Sequence, residues 1–214
     1  MSRRWIIGLT GNIATGKSAV MRLAAEHGAL TIDADHVVHE LLANDVELRD
    51  SIAQVFGDEV LRADGSVDRP ALGRIVFDHP ERLRRLEELV HPEVREEIAR
   101  RVASAEAPVV VIEAIKLLEG PLAAACDQIW VTTCAPETQL ERLRVCRGMD
   151  EAAASSRVRA QAPQSEKIAR ADVVIRTDGL MAETAAQFET AWAALSDAIQ
   201  TEKRPDHNAA TSIE

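Results

Sequence analysis

The chain has 214 residues, of which 46% are hydrophobic, and a formal net charge of −10. That length suits one α/β domain carrying an inserted substructure, and the acidic balance argues against nucleic acid as the main partner. No apolar stretch approaches the roughly 20 residues that span a membrane, and no signal peptide is expected, because the apolar run near the N-terminus is short and leads into glycines. Cys126, Cys134 and Cys146 share no metal-ligand spacing and are odd in number. They fit free thiols in a reducing compartment, so the expected location is cytoplasmic.

In chain order, Trp5–Thr10 reads as a buried strand. It runs into Gly11-x4-Gly16-Lys17-Ser18, and Lys17–His27 then reads as an apolar helix closed by Gly28. Strand, glycine loop and helix in that order form a phosphate-binding P-loop. Gly11 and Gly16 let the chain turn tightly, so that main-chain amides along Gly11, Asn12, Ile13, Ala14, Thr15, Gly16, Lys17 and Ser18 can meet phosphate oxygens. The helix start adds its positive dipole end. Lys17 is expected to reach the β- and γ-phosphates of a nucleotide, and the Ser18 hydroxyl to ligate Mg²⁺.

Ala29–Ile32 is a short second strand ending at Asp33-Ala34-Asp35, where a helix with Val37, Val38, Leu41 and Leu42 begins. Asp33 therefore sits on the sheet edge where open α/β sheets bind ligands. It is the candidate carboxylate that orients an acceptor hydroxyl and takes its proton. Asp35 is a candidate for holding substrate or a hydrated metal ion. For either aspartate, a helix N-cap is the competing reading.

Residues 46–106 carry no strand signal. Val46–Phe56 is amphipathic and Gly57–Asp68 is turn-rich. Arg69–Phe77 and Pro80–Ala105 have helical spacing. Within the last of these, His91 precedes Pro92 and is a candidate substrate contact or a plain structural histidine. Pro108–Glu113 is a continuous apolar run ending in an acid, the pattern of a fully buried parallel strand. Glu113 is thus a candidate metal carboxylate, with helix capping as the alternative.

Gln128–Thr133 is a fourth strand, Pro136–Arg147 a helix and Asp150–Gln161 another. Arg142, Arg144, Arg147, Arg157 and Arg159 on that pair suggest a lid whose guanidinium groups close over phosphates. Asp172–Arg176 is the last strand and Ala182–Ile199 the last helix. Residues 201–214 are polar and aperiodic and are expected to be disordered.

The expected fold is a five-stranded, doubly wound parallel α/β sheet of the P-loop kinase type. Its core would comprise 1–45, 107–138 and 170–200, with an inserted helical region at 46–106 and a lid at 139–169. A nucleotide, nucleoside or shikimate-type kinase is a rival reading, as is a binding-only switch. The guanine-recognition motif of a GTPase switch is missing.

With these pieces assembled, the chain resembles the dephospho-CoA kinases. The matching segments are Gly8-Leu-Thr-Gly-Asn-Ile-Ala-Thr-Gly-Lys-Ser18, Ile32-Asp-Ala-Asp35, Leu89-Val-His-Pro92, Thr133–Leu143, Arg147-Gly-Met149, Arg157-Val-Arg-Ala-Gln161 and Glu166–Ile175. The resemblance implies ATP- and Mg²⁺-dependent phosphorylation of the ribose 3′-hydroxyl of dephospho-CoA. It further implies Asp33 as general base, Arg142 and Arg147 in the lid, the inserted helices as the acceptor site and Asp178 in an adenine-side loop. The implied partners are small molecules, with neither nucleic acid nor membrane. The family usually has glycine where Asn12 and Ala14 stand, and a shorter segment where Glu113–Glu119 lies.

Overall fold

The computed structural model describes residues 3–202. Five strands form one sheet: β1 (Trp5–Thr10), β2 (Leu30–Asp33), β3 (Val109–Glu113), β4 (Gln128–Thr133) and β5 (Val173–Arg176). Their order is β2-β3-β1-β4-β5 and every pairing is parallel. The strand leading into the P-loop is therefore central, with β3 and β4 on either side.

Successive side chains of a strand point to opposite faces, and here both faces are buried. Val110 and Ile112 enter one core together with Ile32. Val109 and Val111 enter the other with Ile7, Leu9, Trp130 and Ile175. That two-sided burial is why β3 reads as an unbroken apolar run rather than an alternation.

The second face is covered by α1 (Lys17–Glu26) and α9 (Met181–Glu202), through Val20, Leu23, Phe188 and Leu195. The first is covered by α2 (Ala34–Asn44), α3 (Val46–Phe56), α4 (Arg69–Val76) and α5 (Pro80–Ser104). Val37, Ile52, Leu72 and Ile98 from these four helices share one cluster with the sheet, so the inserted helices are continuous with the main core.

Asp45 and Asp68 start α3 and α4 by accepting the amides of Leu48 and Ala71 at 2.9 and 3.1 Å. A third, smaller cluster joins Ile13 of the P-loop to Leu143 of α6 (Pro136–Arg147) and Ala154 of α7 (Glu151–Arg159).

The structure differs from the expectations at a few places. β2 runs one residue further than expected, to Asp33, which brings Asp33 into register with Glu113. The five-residue α8 (Gln164–Ile168) and two short 3₁₀ turns at Leu117–Glu119 and Pro121–Ala125 carry no periodic signal and were not anticipated.

The last helix is longer than expected, and its end overlaps the segment expected to be disordered. Thr201 and Glu202 are helical. Ile199 still packs on the core cluster, the Thr201 hydroxyl donates to the Asp197 carbonyl at 2.8 Å, and Glu202 pairs with Arg3 at 3.0 Å. The rest of that segment, 203–214, lies outside the described residues.

Candidate active site

The P-loop conformation rests on close approaches that only particular residues permit. A Cβ at Gly11 would sit 2.5 Å from the Thr132 carbonyl oxygen, and the residue has φ +152°. Gly16, at φ +87°, turns the chain into α1. Ala14 takes the left-handed region at φ +59° without being glycine, a strain of about 1–2 kcal/mol for an L-residue. Inside the loop, the Thr15 hydroxyl bonds the Asn12 carbonyl and the Thr132 hydroxyl, both at 2.8 Å.

The result is a set of unused donors. Among the described residues, the amides of Ala14, Gly16, Lys17 and Ser18 make no hydrogen bond to the protein. All four residues line one cavity of about 610 Å³. Open amides at a helix N-terminus form an anion site, since each needs an acceptor and the dipole favours negative charge. Gly11, Asn12 and Ile13 do not line the cavity. The Asn12 and Ile13 amides instead donate to the side-chain carbonyls of Gln164 and Gln161, at 2.9 and 2.7 Å.

Asp33, Asp35 and Glu113 line the same cavity. The buried Lys17 ammonium donates to the carbonyls of Gly11 and Asn12 at 3.1 and 3.3 Å and lies 3.6 Å from Glu113. Burial pushes the Lys17 pKa below its ordinary value, with Glu113 opposing. Burial also pushes Glu113 upward; Lys17 opposes that rise, and Asp33 and Asp35 add to it.

Asp33 is a helix cap and also faces the cavity. One oxygen caps α2 by accepting the His36 amide at 3.1 Å, while the carboxylate is exposed on the cavity wall. The Ser18 hydroxyl and the three carboxylates suit a hard divalent cation. Among the described residues, however, no cluster of three or more His, Cys, Asp or Glu is arranged to hold a metal ion.

Two of the five hairpin arginines face the cavity, Arg142 and Arg147. Arg142 is tied down: its guanidinium donates to the Ala14 carbonyl and the Thr177 hydroxyl, each at 3.0 Å, and to the Thr177 carbonyl. Arg144 approaches Glu151 at 4.0 Å outside the cavity, and Arg157 and Arg159 are exposed and away from it.

Two other candidates lie elsewhere. Asp178 accepts the Ala135 amide at 2.5 Å and the Thr138 hydroxyl at 3.3 Å, so its carboxylate holds the start of α6, while its neighbours Thr177 and Gly179 line the cavity. His91 is exposed on α5 in a separate shallow groove with Arg84 and Arg95. Gln161, Gln164 and Thr177 were missed as site residues. Gln161 and Thr177 stand in short connections and Gln164 opens the five-residue α8, stretches too short for a spacing rule to apply.

Comparison with known proteins adds a family. The family model described as dephospho-CoA kinase matches residues 5–183. A dephospho-CoA kinase from Symbiobacterium thermophilum is 45% identical over 192 residues, covering 88% of this chain and 80% of that protein. One from Streptomyces avermitilis is 42% identical over 190 residues, covering 88% and 93%. The solved dephospho-CoA kinase from Campylobacter jejuni superposes with a TM-score of 0.67 at 25% identity, covering 90% of this chain and 98% of that one.

Proposed function

The chain belongs to the dephospho-CoA kinase family, and from that premise we propose how its cavity transfers the γ-phosphoryl group of ATP to the ribose 3′-hydroxyl of dephospho-CoA, giving CoA and ADP. The observation that carries the reading is the shared wall: Asp33 lines the same cavity as Lys17 and the open amides of Ala14, Gly16, Lys17 and Ser18.

In this reading the open amides bind the phosphate chain, and Lys17 turns from its own loop carbonyls towards phosphate oxygens. Asp33 receives the acceptor hydroxyl, orients it and takes its proton as the new P–O bond forms. Asp35 helps seat the acceptor. Mg²⁺, when bound with ATP, supplies charge neutralisation at the phosphates, and Ser18 and Glu113 are the groups that would hold it.

Arg142, already anchored to Ala14 and Thr177, presents fixed positive charge beside the loop, and Arg147 adds a second. Little covalent chemistry is asked of the protein. Orientation alone can lower the barrier by about 7–11 kcal/mol.

The helices of 46–106 form the acceptor side, with His91 as an outlying contact. Residues 139–169 form a lid on the core of 1–45, 107–138 and 170–200, and Asp178 shapes the loop beside the adenine. The enzyme works on small molecules in the cytoplasm, without nucleic acid or membrane. Among the described residues no helix is long and apolar enough to cross a bilayer.

The direct test incubates the pure protein with ATP, Mg²⁺ and dephospho-CoA and follows CoA by mass. Production of CoA is expected. ADP formed without CoA, or phosphorylation of shikimate or a nucleoside instead, would overturn the assignment.

A further inference from the structure

The segment that follows α7 makes contacts for which the mechanism above has no use. Gln161 accepts the Ile13 amide at 2.7 Å. Gln164 accepts the Asn12 amide at 2.9 Å and donates at 2.8 Å to the Thr132 carbonyl, so it is braced between the P-loop and β4. The Asn12 side chain donates to the Ala162 carbonyl at 3.0 Å.

One helical turn further on, Lys167 is only 7% exposed, and its ammonium donates to the Ile115 carbonyl at 2.8 Å. Among the described residues no carboxylate lies within ion-pair distance of it. Ile115 itself lines the phosphate cavity, two residues beyond Glu113.

We propose that the segment from Gln161 to Lys167 is a positioning strap for both substrates: Gln161 and Gln164 hold the leading edge of the P-loop, and Lys167 holds the Ile115 corner on the acceptor side.

The chemistry of each side chain suits that division. A P-loop has more amides than a phosphate can use, and those left over must find acceptors. A neutral amide carbonyl satisfies them without placing negative charge beside a triphosphate, as a carboxylate would. With the Asn12 and Ile13 amides occupied, the loop presents the later ones to the cavity.

Lys167 poses a different problem. A buried ammonium without an ion pair is a cost to the fold; burial lowers its pKa, Lys17 adds to the effect and Glu119 opposes it. A methionine would fill the same space without that cost. What methionine lacks is a donor long enough to pin the Ile115 carbonyl, which also accepts from the Thr10 hydroxyl at 3.1 Å.

The assignment of sides rests on the reading of Asp33 as the acceptor residue. The test is therefore a pair of variants with opposite kinetic signatures, measured on the full chain. Gln161→Leu is expected to weaken binding of a non-hydrolysable ATP analogue about fivefold, while KM for dephospho-CoA stays within about twofold. Lys167→Met is expected to leave analogue binding within about twofold and raise KM for dephospho-CoA about tenfold, without lowering the melting temperature. Lys167→Arg should restore the KM.

A strap with only a structural role would lower the melting temperature of both variants and leave their kinetics per folded molecule unchanged, which overturns the proposal. So would the same change in both substrates for both variants. Should Lys167→Met fail to fold, Gln161→Leu and Lys167→Arg still decide it. Calorimetry of the analogue needs no acceptor, and wild-type turnover is run alongside. Failure of the function assignment would appear as wild-type inactivity on dephospho-CoA and is thus separable from failure of the strap.

Discussion

Asp33 belongs to two surroundings with one carboxylate. It caps α2 through the His36 amide and faces the phosphate cavity. Asparagine caps a helix about as well as aspartate but cannot accept a proton, so the cap and the proposed proton transfer separate cleanly. Asp33→Asn is expected to keep the melting temperature and ATP affinity of the wild type while turnover falls about 10²–10⁴-fold. Steady-state kinetics beside ATP calorimetry checks it, and turnover within a few-fold of wild type would remove Asp33 from the proton transfer. Asp178, which the family resemblance puts in an adenine-side loop, accepts the Ala135 amide and the Thr138 hydroxyl through one oxygen at the start of α6, while Thr177 and Gly179 on either side line the cavity. A short sequence motif selects the neighbourhood. Which of three consecutive residues points inward depends on the turn they make.

At the scale of elements, the boundaries that were legible are those marked by chemistry in one or two residues. Asp45 before α3, Asp68 before α4 and Asp150 before α7 each accept an amide of the first turn, and Gly148 ends α6 at φ +64°. A Cβ at Gly148 would meet nothing within 4 Å, so substitution there tests backbone conformation alone. Gly148→Ala is expected to destabilise the protein by about 1 kcal/mol, read as a lower urea midpoint with unchanged m-value. An unchanged midpoint would mean that the α6–α7 turn relaxes to another shape. α8 was not legible, for a definite reason. It has five residues and is held by Gln164, Lys167 and Arg170 reaching the P-loop, Ile115 and Leu118. Its existence depends on what it touches, and a helix that short has no stability of its own.

At the scale of the whole molecule, the nucleotide loop is woven into the core. Thr15 bonds β4 through Thr132, Thr177 donates to the Thr15 carbonyl at 2.9 Å, and Arg142 reaches Ala14 from α6. A ligand that grips the loop should therefore stabilise the entire fold. ATP at about a hundred times its Kd is worth about 2.7 kcal/mol, or a rise in Tm of about 5–10 °C for a domain this size. Lys17→Ala should shrink that rise as it weakens binding, and a variant that melts with the full ATP shift would deny Lys17 its phosphate contact. Strand positions, the P-loop and the one-sided helices of 46–106 were set locally, by apolar periodicity, glycine spacing and capping residues, and these are properties of neighbouring residues in the chain. The pairing of Asp33 with Glu113, the anchoring of Arg142 on Ala14 and Thr177, and the glutamine contacts to the P-loop were decided only by tertiary structure. They join residues tens to more than a hundred positions apart, and such meetings follow from sheet order and packing, to which no local pattern refers.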